Sequence, residues 1–105
     1  MSTFDDRESA FENKFAHDAE MQFKADARGN KLTGLWAAGL LGKTGADAEA
    51  YAVEVVKSDF EEAGHEDVYR KLAADLNGVA DEQTIRAQMA ENLKVAKESL
   101  LKEAD

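Results

Sequence analysis

The 105-residue chain is long enough for one domain with a single modest core, and its 44% hydrophobic content argues against a wholly disordered polymer. Its formal charge of -9 is spread throughout, with 5 basic against 7 acidic groups in 1–31, 2 against 6 in 32–62 and 6 against 9 in 63–105. With no basic face to release counterions from phosphate, nucleic acid and anionic membranes make poor partners, and the absence of cysteine excludes disulfides, thiolate metal sites and redox switching.

No proline interrupts a mixture rich in Ala, Glu, Lys, Leu and Asp, and no run alternates with period two. The expected class is all-α: a four-helix bundle preceded by a mobile or partly helical N-terminal arm. The arm covers 1–19 and the bundle 20–105, with helices over 20–41, 45–63, 66–77 and 81–103.

In the arm the large apolar residues are Phe4, Phe11 and Phe15, a narrow stripe among Asp5, Asp6, Arg7, Glu8, Glu12, Lys14, His17 and Asp18. Burying three Phe rings supplies roughly 5 to 9 kcal/mol. Ordering the segment costs on the order of 1 to 2 kcal/mol per residue, partly offset by helical hydrogen bonds. One reading is therefore an arm that folds as a helix when a partner's groove accepts the stripe. The other is a first bundle helix continuing to Leu41.

The first bundle helix carries Leu32, Leu35, Trp36, Leu40 and Leu41, the most hydrophobic set in the chain. Gly42 suits a helix C′ position, and Thr44 with Asp47 three residues on suggests a capping box opening the second helix. That helix presents Ala48, Tyr51, Ala52, Val55, Val56 and Phe60. Val68, Leu72 and Leu76 form a row on the third, Gly78 ends it, and Asp81 is placed to cap the fourth. The fourth bears the stripe Ile85, Met89, Leu93, Ala96 and Leu100. Glu20-Lys24, Glu66-Arg70, Asp67-Lys71, Glu82-Arg86 and Glu98-Lys102 read as solvated i,i+4 pairs.

Little here carries chemistry. Ala37 to Thr44 fits a loose phosphate-loop pattern, but no strand precedes it, so a helix stop and start is the reading preferred; a weak nucleotide contact at Gly42, Lys43 and Thr44 is the residual alternative. Glu62-x-x-His65 has the spacing of a di-iron ligand pair without the second pair such a site needs. His17, near Glu20 on a helical arm, is read in preference as a surface histidine, with a pH-sensitive contact as the lesser alternative. No catalytic constellation, metal site or cofactor is expected. The acidic opening residues carry no secretory signal, and the apolar stretch Leu32 to Gly42 falls short of the roughly 20 residues that cross a bilayer, so the expected location is the cytoplasm.

The string Phe4-Asp5-Asp6-Arg7-Glu8, followed by Ala10-Phe11-Glu12-Asn13-Lys14-Phe15-Ala16-His17-Asp18, closely resembles the opening of the zeta inhibitor family of the alphaproteobacterial F-type ATP synthase. Asn30-Lys31-Leu32, Gly34-Leu35-Trp36-Ala37-Ala38, Asp59-Phe60-Glu61-Glu62, and Ile85-Arg86 with Met89 extend the resemblance to about Leu93. It implies a bundle with an inhibitory arm that enters an α/β catalytic interface of the synthase head near γ and blocks ATP hydrolysis. Phe4, Phe11 and Phe15 would anchor in the cleft, and Asp5, Asp6, Arg7, Glu8 and Glu12 would pair at its rim, with Lys14 and His17 on the same string. The implied partners are the α, β and γ subunits, the free protein is expected to be a monomer, and when bound it would be peripheral to the inner membrane. The sequence departs from the family pattern at Gly29, Thr33 and Gly39, where a basic, a larger apolar and a charged residue are expected, so the first helix should be weaker by ~1 kcal/mol per glycine. An acidic helical adaptor for another cytosolic protein, or a weak nucleotide sensor, are the other readings.

Overall fold

The computed structural model describes residues 19–59 and 65–104, so the site residues expected between Phe4 and His17 lie outside the described residues. Within it the chain is all-α, a bundle of α1 (Ala19–Leu40), α2 (Gly45–Ser58), α3 (Glu66–Asp75) and α4 (Glu82–Ala104), with no strand among the described residues. α1 packs along both α2 and α4, and the short α3 packs against the same two helices. Val68, Leu72 and Leu76 of α3 and the turn after it are fully buried, as the i,i+4 row requires, against Tyr51, Val55 and Ile85.

The helix ends follow from local hydrogen bonding. At the end of α1, Gly42 adopts φ 76; its N–H donates to the Gly39 carbonyl (3.2 Å) and that of Lys43 to the Ala38 carbonyl (2.9 Å). These are the paired bonds of a Schellman motif, with glycine where a left-handed residue is needed. Thr44 is the N-cap of α2 but its hydroxyl makes no capping bond, so the expected capping box does not form; its carbonyl instead accepts from Asp47 N–H (3.1 Å). α2 runs to Ser58, where the Ser58 hydroxyl donates to the Val55 carbonyl (2.6 Å) and Asp59 N–H tightens onto the Val56 carbonyl (3.2 Å); the remainder of its expected span, 60–63 with Phe60, lies outside the described residues. α3 ends at Asp75, with Val79 N–H closing a turn onto the Leu76 carbonyl (2.8 Å). Asp81 does cap α4: its carboxylate accepts from Thr84 N–H at 2.8 Å, and the Thr84 side chain first, then this backbone bond, lower its pKa.

Two expectations about packing are corrected. In α1 the fully buried apolar residues are Ala25, Ala37 and Ala38, while Leu32, Leu35 and Trp36 are half-buried and Leu40 is exposed. Small side chains win the interior because α1 is approached closely from two sides. Asp67 and Lys71 do not form the expected surface pair: Asp67 turns inward, and the Lys71 ammonium lies 3.1 Å from Asp75, 3.5 Å from Glu54 and 5.1 Å from the Tyr51 ring centroid.

Candidate functional site

What the described residues offer is the stem that follows the segment 1–18. Here the first turns of α1 lie against the last turns of α4. Ala25 and Leu100 are buried together, with Met21, Leu93 and Leu101 packed around them. Arg28 ties the pair at the surface: its guanidinium donates to Ser99 Oγ (2.8 Å) and to both carboxylate oxygens of Glu103 (2.9 and 3.2 Å), which holds the Glu103 carboxyl below its ordinary range.

On the opposite side of α1, Asp26 meets the connection between α2 and α3. His65 Nδ1 lies 3.1 Å from Asp59 Oδ1 and its Nε2 3.6 Å from Asp26 Oδ1, while Gln22 Nε2 donates to Asp26 at 2.9 Å. Burial pushes the Asp26 carboxyl up, against the pull of His65, the Gln22 bond and Lys97, with Asp59 adding to the rise. In the sequence His65 stands in an incomplete metal motif and Asp59 in the family string, while nothing local points to Asp26, which lies far from both in the chain. No group of three or more His, Asp or Glu side chains suited to a metal occurs among the described residues. The arrangement is a partly buried polar contact between α1 and the two ends of the α2–α3 connection.

The Gly42, Lys43 and Thr44 segment is the helix stop described above. The N–H groups of Gly42 and Lys43, which a phosphate loop would aim at its ligand, donate instead to α1 carbonyls. Two of the backbone donors such a loop relies on are therefore taken, and the Lys43 ammonium lies 5.9 Å from the Tyr51 ring centroid.

The stem, tied by Arg28 to Ser99 and Glu103, follows in sequence the segment that carries the recognisable string, and a family comparison takes in both parts. The model of the ATPase inhibitor subunit zeta family matches residues 1–99. The chain belongs to that family. The family is one of inhibitor subunits, which are regulatory proteins. Its resemblance to zeta proteins includes both the bundle and the string Phe4 to Asp18. A structure determined in solution by NMR is similar to this zeta chain, 59% identical over 79% of it and 98% of the other chain, with a TM-score of 0.74. None of the curated proteins matches. No described helix is long and apolar enough to cross a membrane.

Proposed function

We propose that this zeta-family chain inhibits ATP hydrolysis by the catalytic head of the F-type ATP synthase. Residues 1–18 would insert as a helix at an α/β catalytic interface near γ, with the bundle docked outside. The observation that carries the reading is the family match from residue 1 to 99, which spans the leading segment as well as the helices. Physical chemistry supports it: three Phe side chains on a narrow stripe, ringed by charge, suit an anchor in a cleft with a polar rim. Lys14 and His17 would lie at the bundle end of the inserted helix. The chain would act in the cytoplasm as a monomer that joins the membrane-bound synthase at its head.

The test adds the purified chain to detached synthase heads from the same organism and follows ATP hydrolysis, with a variant lacking residues 1–18 in parallel. The full chain should suppress hydrolysis and the truncated one should not, while keeping the helical circular-dichroism signal. Undiminished inhibition by the truncated chain would overturn the arm's role. No inhibition by the full chain, with capture of a different partner, would favour an adaptor instead.

A further inference from the structure

α1 meets α4 through small and polar groups at mid-length. A Cβ on Gly29 would lie 3.1 Å from the Leu93 Cα and 3.4 Å from its N, so the two backbones touch there. Beside this notch runs a one-way chain of hydrogen bonds. Gln88 Nε2 donates to Asn92 Oδ1 (3.2 Å), Asn92 Nδ2 donates to Thr33 Oγ1 (3.0 Å), and the Thr33 hydroxyl donates to the Gly29 carbonyl (2.9 Å). Thr33 and Asn92 are 1% and 9% exposed, and the chain ends on the glycine that forms the notch.

We propose that notch and relay together form a register lock, fixing how far α1 is slid along α4 while adding little net stability. The rest of this seam is apolar, with Ala25 and Leu100 buried and Met21, Leu93 and Leu101 packed around them, and such contacts are non-directional. The hydrogen bond across it is not. Sliding α4 by four residues in one direction sets Ala96 opposite Thr33; the Thr33 hydroxyl keeps its bond to the Gly29 carbonyl within α1, but the buried Asn92 amide loses its partner across the seam, a local cost. Sliding it the other way sets Gln88 opposite Thr33 and breaks the Asn92 bond. Either shift also moves the Leu93 backbone away from the Gly29 notch. The other glycines of α1 are no substitute, since Gly34 faces Ala52 and Gly39 has nothing within 4 Å. The small net contribution follows because buried polar groups exchange water hydrogen bonds for internal ones, so apolar residues of similar size hold a seam equally well. The register in turn sets whether Arg28 reaches Ser99 and Glu103 at the stem.

The experiment compares the full chain with Thr33→Val, Asn92→Leu and the double variant by urea unfolding and by amide hydrogen exchange read in NMR spectra. Thr33→Val alone, which strands the Asn92 amide, should lower the unfolding midpoint. The double variant should regain the wild-type midpoint, yet show split resonances along α1 and α4 or exchange at the seam faster by about tenfold or more. A double variant with one sharp set of peaks, wild-type exchange and an intact Gly29–Leu93 contact would overturn the lock. So would a double variant that does not fold, since the relay would then be a stability element.

Discussion

Gly34 lies so close to α2 that a Cβ built on it would come within 2.7 Å of the Ala52 Cα and 3.2 Å of the Val55 Cβ. The atom in the way is backbone, which cannot rotate aside. Gly34→Ala should therefore destabilise the bundle by about 1 to 3 kcal/mol, the overpacking cost outweighing better helix propensity. Gly39 sits in the same helix with open space around it. Gly39→Ala should stabilise by roughly 0.5 to 1 kcal/mol through propensity alone. Urea midpoints of the pair decide the matter: equal effects would mean that α1 and α2 do not touch at Gly34.

At the turn into α2, Gly42 is held at φ 76, in the left-handed region where side chains are rarely accommodated. Gly42→Ala should cost about 1 kcal/mol or somewhat more, and Gly42→Asn less, because asparagine tolerates that conformation better. Thermal unfolding that ranks the variants Gly, Asn, Ala in falling order checks the Schellman assignment. A Gly42→Ala protein as stable as the natural one would contradict it.

The sequence made some of this legible and concealed the rest for identifiable reasons. Leu72 and Leu76 were readable as core because their spacing matches the helix period and large apolar groups drive burial most strongly. Gly42 and Asp81 were readable because turn geometry and capping leave a local signature. The interior of α1 was not. Hydrophobicity weights Leu32, Leu35 and Trp36 above Ala37 and Thr33, whereas close approach of two helices favours whatever is smallest. Gly29 and Thr33, which in the sequence look like weaknesses of a helix, are explained only by Leu93 and Asn92, some sixty residues away. The Asp26, Asp59 and His65 cluster was hidden for the same reason, since three chain segments must fold before it exists.

Asp26 gives the pH prediction. Its carboxyl binds a proton more tightly in the folded chain than its ordinary value of 3.8, chiefly because burial disfavours the charged form. A group shifted in that direction imposes no penalty below the ordinary carboxyl range; the penalty sets in as pH rises through the interval between the two values and is complete above it. Asp26→Asn keeps an oxygen for the Gln22 amide and removes the charge. It also removes the attraction to His65, but desolvation is the larger influence. The variant should therefore be more stable than the natural chain at pH 7, with the difference shrinking as pH falls and vanishing below about pH 3, where both side chains are neutral in both states. Urea midpoints across that range provide the check. A variant less stable at neutral pH would mean that His65 attraction, not burial, governs this carboxylate, and that the contact braces the stem more strongly than its partial exposure implies.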